Sequence, residues 1–435
     1  MSYQQVDLVE VHVWGHLVGA VVLDPSTGFY AFEYDSKWIA SGKSLAPLHM
    51  PNRSGVFAFP QLNPITYYRL PAMLADALPD KFGNALVNAY LSDQGIPAEK
   101  ITALDRLAYA ADRGMGALTF KPPVQDGLNQ PTAIQLADLV TAARSMLSGE
   151  FTNAQATNDA LHQLIQVGTS AGGARAKAVI AYNPKSQEIK SGQLDVPDGF
   201  EHWIVKLDGV GVDPMRELDP FTAGADYCRV EYAYFLMASQ AGVQMSKSLL
   251  LPEGPRTHFL TQRFDRTLEG HRIHLQSLCA LAHLDFNLIS THSYSQYFET
   301  IMALGMGKEA LQQAFRRMVF NVAAVNRDDH TKNLAFLLPE NGSWELAPAY
   351  DITHAHNSQG KWTMNHQMSV NGKFDGITRA DLHEVGDLHL VPRYAGVIDE
   401  VLQAVDKWPD FAQSAGVSEK TTERIAKDIG LHRPL

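Results

Sequence analysis

The 435-residue chain carries 47 acidic and 36 basic residues, a formal charge of −11, and only two cysteines, Cys228 and Cys279. Its length predicts two or three packed units, and its acidic balance excludes a self-sufficient electrostatic grip on a polyphosphate backbone, so any DNA contact calls for a basic partner. Two cysteines exclude a disulfide framework, neither has zinc-ligand spacing, and a reducing cytoplasm fits this usage. The start MSYQQVDLVEVHVWGHLVGA has neither the basic opening nor the apolar run of a signal peptide, and no stretch approaches a membrane span.

Residues 6 to 34 alternate apolar and polar positions between Gly and Pro-Ser-Thr-Gly breaks, which predicts an opening β-meander. From Leu70 to Gly95 the spacing is helical with one break at Pro79. Ile101 to Phe120 then reads as helix, glycines and a short strand, completing a compact α/β unit. Gln125 to Asn158, rich in Gln, Thr, Asn and Ala, holds one amphipathic helix, and a boundary is expected near residue 150. Beyond it, strands AKAVIAY and HWIVKL flank the polar excursion NPKSQEIKSGQLDVPDG. A helix from Asp226 to Ala241 and a strand pair reaching QRFDR follow, and after Arg266 the pattern is mostly helical, with no repeat of fixed period.

The segment from Asn326 to Asp351, NRDDHTKNLAFLLPENGSWELAPAYD, concentrates the chemistry. LAFLL and SWELA are strand-like and separated by the turn residues Pro339 to Gly342, so a hairpin is expected to bring Asp328, Asn333 and Asp351 together. Phosphoryl transfer needs one carboxylate near the attacking hydroxyl and hard oxygen ligands for magnesium, and the D-x-x-x-x-N spacing followed by a returning Asp supplies that set. Asp328 is the expected base. Asp329 is the alternative, one residue too close to Asn333 for the kinase loop spacing. Residues of these types also cap turns and helices, which is the plain structural alternative.

Upstream, VGTSAGGARAKAVIAY sets Gly168, Gly172 and Gly173 beside Ser170 and ahead of a strand, as a backbone approaching phosphate requires. It is not a Walker A loop, since Ala174 and Arg175 stand where Lys and Ser or Thr are needed, and a flexible hairpin remains the other reading. Lys206 lies inside the apolar strand HWIVKL and needs an anionic partner. Glu231, on the packed stripe of its helix, could supply one, in a phosphate-holding pair or a purely structural one. QRFDR falls where a kinase chain crosses between lobes, so the backbone of Gln262, Arg263 and Phe264 is expected to meet an adenine ring. His330, His354 and His356 invite a zinc or iron reading, but no H-E-x-x-H or comparable spacing is present.

SAGGARAK, WIVKL, QRFDR, DDHTKN and LAPAYDI together resemble the HipA family of bacterial toxin kinases, and the N-terminal stretches FEYDSKWIASGKSLAPLHMP, LADALPDKFGNALV and DRLAYAADRGMGALTF are similar to it as well. The resemblance spans nearly the whole chain. It implies an α+β, bilobal protein-kinase-like fold with a β-rich small lobe (151–265) and a mostly helical large lobe (266–435), preceded by an N-terminal α/β subdomain (1–150). It implies Asp328 as base and Asn333 with Asp351 as magnesium ligands. His330, Thr331, Lys332 and Tyr350 would belong to the nucleotide site, with ATP phosphates at Lys206 and at the loop Gly172, Gly173, Ala174, Arg175, Ala176 and Lys177. It further implies autophosphorylation of Ser170 as an off-switch, a HipB-like helix-turn-helix antitoxin that brings the chain to operator DNA, and a protein target such as an aminoacyl-tRNA synthetase. The loop has Gly172 where the family commonly has Ala, and HLQSLCALAHLDF departs from the acidic Q-E-D form of some members, so substrate docking is expected to differ. A small-molecule kinase and a catalytically silent co-repressor are the rival readings.

Overall fold

The structure, a computed structural model, describes residues 5–79, 81–93, 95–123, 134–148, 164, 176–192, 196–210 and 226–434. The chain divides into two compact units. One comprises Met1–Gly211, Leu260–Gln276 and Leu337–Ser343, and the other Val212–Phe259, Ser277–Phe336 and Trp344–Leu435. The expected boundary near residue 150 lies outside the described residues.

In the first unit, β1 (Leu8–Val13), β2 (His16–Asp24) and β3 (Phe29–Tyr34) form the expected meander. With β4 (Val56–Phe57) and β5 (Leu118–Lys121) they make an antiparallel sheet in the order β4-β3-β2-β1-β5. Alternate residues of a strand share a face, so Val9, Val11 and Val13 are all buried together. Gly19 is required in β2, because a Cβ there would lie 2.1 Å from the Glu33 carbonyl oxygen on β3. The helical stretch after Leu70 breaks at Pro79 into Ala72–Ala75 and Lys81–Asp93. Helix Ala103–Ala110 starts with a Thr102–Asp105 capping box.

A second sheet of this unit runs β7-β6-β8-β10, from β6 (Lys177–Tyr182), β7 (Ile189–Ser191), β8 (Glu201–Lys206) and the Leu260–Gln262 end of β10 (Arg256–Gln262). All six residues of β6 are buried. The excursion read as polar contains β7. Asn183 Oδ1 accepts from the amides of Lys185 and Ser186 to form a tight turn, and the chain returns onto β6, where a Cβ on Gly192 would sit 2.3 Å from the Ile180 carbonyl carbon. Three strand residues inside a hydrophilic stretch leave no alternation to read.

The strand expected to reach QRFDR ends at Gln262 because the next four residues build a charged knot. Asp265, wholly buried, accepts from Arg263 Nε at 2.9 Å and Nη2 at 2.7 Å, from Arg266 Nη1 at 2.8 Å and from the Gly116 amide at 2.7 Å. The arginines in turn donate to the carbonyls of Gly114 and Gly116. Gly116 has φ +76°, and a Cβ there would press on the Leu275 backbone nitrogen at 3.1 Å, which explains the second glycine of DRGMGALTF. Burial opposes ionisation of Asp265, but the two guanidiniums and the Gly116 amide overcome it and hold the carboxyl well below the usual carboxylate range.

The second unit is built on helices Tyr227–Gln240, Tyr294–Ala303, Lys308–Ala323, Arg379–Leu388, Tyr394–Val405, Trp408–Ser414 and Glu419–His432. β9 (Ser248–Glu253) and the Arg256–Phe259 part of β10 also belong to it. From Ala314 to Ala323 every residue of Lys308–Ala323 is buried, so that helix is the axis of the core, with Tyr234, Tyr294, Tyr297, Phe298, Leu382, Ile398 and Trp408 in the same cluster. Among the described residues no helix is long and apolar enough to cross a membrane.

Replacing Asp265 by Ala leaves two buried arginines without their counter-charge and lowers unfolding stability by about 3–5 kcal/mol, measurable as a shift in urea midpoint. His274 is buried against the Leu45 carbonyl, and burial pushes its pKa down to about 4. The fold therefore favours neutral His274. This contribution is complete above the unfolded histidine pKa of about 6.5, drains as pH falls towards 4, and is absent from the pH dependence of melting in a His274→Gln variant.

Candidate active site

Helix Lys308–Ala323 ends at Ala324, and Val325 turns the chain with φ +55°. The loop that leaves it runs beside the segment after Asp351. Asn326 and Ala355 form a parallel bridge, the Ala355 amide donates to the Val325 carbonyl at 3.2 Å, and the Arg327 amide donates to the Ala355 carbonyl at 3.0 Å. Further on, strands Ala335–Leu338 and Glu345–Leu346 form the expected hairpin, with the Ala347 amide donating to the Ala335 carbonyl at 3.0 Å. Tyr350 Oη then donates to the Lys332 carbonyl at 2.7 Å. Asp351 is thus held between two ties, one at Tyr350 and one at Ala355. Asp328 lies between the same ties on the facing loop, and Asn333 sits one residue past the inner one. Asn333 Nδ2 donates to the Asp328 carbonyl at 2.9 Å, and Asp351 adopts φ +51°, a left-handed conformation that Asp tolerates better than most residues.

The two adjacent aspartates have opposite surroundings. The Asp329 side chain is 1% exposed and accepts from Tyr294 Oη at 2.8 Å, His366 Nδ1 at 2.9 Å and the Gln367 amide at 2.8 Å. Because a carboxylate only accepts, the His366 proton sits on Nδ1. Asn321 Nδ2 donates to Tyr294 Oη at 2.9 Å, and Asn326 Nδ2 donates to Asn321 Oδ1 at 2.9 Å, completing a buried chain of polar groups. Burial first, and Asp329 second, push the Tyr294 phenol well above its ordinary pKa, so it stays a donor. Asp328, by contrast, is 32% exposed, with His330 Nε2 at 3.9 Å.

Around this loop, Thr331 Oγ1 donates to the Leu284 carbonyl at 2.7 Å, while the His330 ring and Lys332 Nζ lie 5.4 Å from the Phe286 ring. Arg327, beside Asp328, is buried and donates to Asp375 Oδ1 at 2.7 Å, to His432 Nδ1 at 3.0 Å and to the Met364 carbonyl. Sequence reading passed over Arg327, Tyr294, Asn321 and His366. The one available signal was polar residues set inside the apolar run MVFNVAAVN.

In the first unit, Lys177 and Lys206 face each other across β6 and β8 as register partners, both buried, and the Leu207 amide donates to the Ala176 carbonyl. Arg263 gives its amide to the His202 carbonyl at 2.9 Å and its side chain to Asp265, Gln262 Nε2 donates to Glu201 Oε2, and Phe264 follows within the same segment. Glu231 is buried in helix Tyr227–Gln240 of the second unit. Ser170, Gly172, Gly173, Ala174 and Arg175 lie outside the described residues. Among the described residues no group of three or more His, Cys, Asp or Glu is placed to hold a metal. His354 instead lies 3.1 Å from Asp428, and the His356 ring packs on His432.

An α+β chain with this loop, hairpin and returning aspartate is protein-kinase-like in fold. Residues 9–121 match the HipA N-terminal domain and residues 169–431 the HipA-like C-terminal domain. The chain belongs to the HipA family. Its fold is similar to that of HipA from Shewanella oneidensis MR-1, solved as a toxin-antitoxin complex with HipB and operator DNA. That likeness has a TM-score of 0.66 at 17% identity and covers 97% of this chain and 95% of that one. Y4dM of Sinorhizobium fredii, provisionally named a kinase, is 24% identical over 275 residues, 59% of this chain and 63% of that protein's length. The Helicobacter pylori proinflammatory kinase CtkA, at a TM-score of 0.33 and 13% identity over 56% of this chain and 93% of that one, is too distant to add to the comparison.

Removing the Asp329 carboxylate leaves Tyr294, His366 and the Gln367 amide without their acceptor. Asp329→Ala is therefore expected to lower stability by about 3 kcal/mol or more, whereas Asp328→Ala stays within about 0.5 kcal/mol of the parent, both read from denaturant midpoints.

Proposed function

We propose that this chain is a serine/threonine protein kinase that moves the γ-phosphoryl of ATP onto a hydroxyl of a protein target in translation, of the aminoacyl-tRNA synthetase class. The observation that carries the reading is the pairing of a solvent-facing Asp328 with a neighbour, Asp329, whose carboxylate is fully engaged by the fold. One aspartate is left for chemistry on a loop that cannot drift.

In this reading Asp328 accepts the proton of the attacking hydroxyl. The hydroxyl oxygen bonds to the γ-phosphorus, the bond from that phosphorus to the β,γ-bridging oxygen breaks, and ADP leaves. Asn333 and Asp351 present the hard oxygens that suit magnesium, which when bound offsets charge on the phosphate oxygens. Lys206 and Lys177 draw the phosphates, and Ala176 with the preceding glycines offers backbone amides. His330, Thr331, Lys332 and Tyr350 border the nucleotide, and the Gln262 to Phe264 backbone meets the base. Ser170 is the autophosphorylation site. A dianionic phosphate on it would be repelled by those of ATP, switching the enzyme off. Membership of the HipA family and the Shewanella complex support a HipB-like antitoxin as partner, with operator DNA reached through it.

The test is intact-protein mass after incubation with ATP and magnesium. Wild type gains phosphate, Ser170→Ala does not, and Asp328→Asn slows transfer by about 10²- to 10⁴-fold. Full activity in Asp328→Asn would remove the base assignment, and no gain in wild type would favour a small-molecule kinase or a silent co-repressor.

A further inference from the structure

Behind the active-site loop, wholly within the second unit, lies a cavity of about 380 Å³. Its charged lining is two arginines, Arg327 and Arg433, against a single carboxylate, Asp375, which is 53% exposed, and His432 and His366 add ring nitrogens.

Arg327 is 2% exposed, and its guanidinium is incompletely used. Nη1 and Nη2 are taken by Met364, Asp375 and His432, while Nε is buried with no hydrogen-bond partner among the described residues. Because arginine always donates, His432 Nδ1 must accept from it, which puts the His432 proton on Nε2 as a further donor. Arg433 is fastened to the exposed Asp406 through both terminal nitrogens, which uses two of its five N–H donors and leaves the others to an oxyanion. Val322, Ile377 and Leu431 supply the apolar part of the lining.

Two cavity residues also reach the neighbours of Asp328 on either side. Arg327 precedes it in the chain, and His366 holds Asp329, which follows it.

We propose that this cavity binds a dianionic phosphoryl group, free or esterified to a small apolar body. The group is held by Arg327, His432 and Arg433 in place of Asp375, and its occupancy is sensed on both sides of Asp328. Binding stands without the kinase reading; the effect on phosphoryl transfer rests on it.

The test is calorimetric titration of the full chain with phenyl phosphate and with inorganic phosphate. Arg433→Gln is expected to weaken phenyl phosphate roughly ten- to hundredfold. Asp375→Asn, by removing the competing carboxylate, should strengthen it, and Lys206→Met in the first unit should leave it unchanged. Tighter binding of phenyl phosphate than of inorganic phosphate identifies an ester as the ligand, and equal binding with the same variant pattern identifies the free ion; both support the site. No binding of either probe, or binding lost in Lys206→Met and kept in Arg433→Gln, overturns it. If the variant pattern holds but wild type transfers no phosphate from ATP, only the catalytic reading fails.

Discussion

A carboxylate buried away from water is tolerated only when donors surround it, and Asp329 has three: a phenol from the start of helix Tyr294–Ala303, an imidazole from His366 and a backbone amide from Gln367. Tyr294 ties the loop to one part of the second unit and the adjacent His366 and Gln367 tie it to another, while Asn321 and Asn326 extend the chain of polar groups back into helix Lys308–Ala323. The position of Asp328 and Asn333 follows from this arrangement, because the loop carrying them has little freedom once residue 329 is pinned.

The first unit solves a related problem with charge. Asp265 is as deeply buried as Asp329, but its donors are two guanidiniums and an amide, and the same arginines also satisfy the carbonyls of a glycine turn. Around Asp329 the donors are instead a phenol, an imidazole and an amide. Around Asp265 the arginines and the carboxylate justify one another's burial, so none of the three tolerates loss of the others.

Much of this architecture is legible in the amino-acid order. The valine alternation of β1, the break at Pro79 and the Pro339 to Gly342 turn all announce their elements, because period and turn chemistry are local. The hairpin that returns Asp351 could be read for the same reason. What escaped was β7, three residues in polar sequence that return through the Asn183 turn onto neighbouring β6 and leave no alternation to read. The charged knot of QRFDR also escaped, because nothing in five residues tells that Gly114 and Gly116 wait about 150 residues away. Spacing favours Asp328 over Asp329 as the candidate base, while the groups that engage Asp329, Tyr294 and His366, lie 35 and 37 residues off and leave no mark in the loop itself.

The doubled aspartate also constrains how this loop can change in length. One carboxylate faces the core and its neighbour is partly exposed, so lengthening the loop by a single residue would carry Asp328 into the buried place and Arg327 into the exposed one. A one-residue insertion or deletion between Ala324 and Asp328 therefore cannot be absorbed gradually. The segment behaves like a toothed rack that engages at one setting.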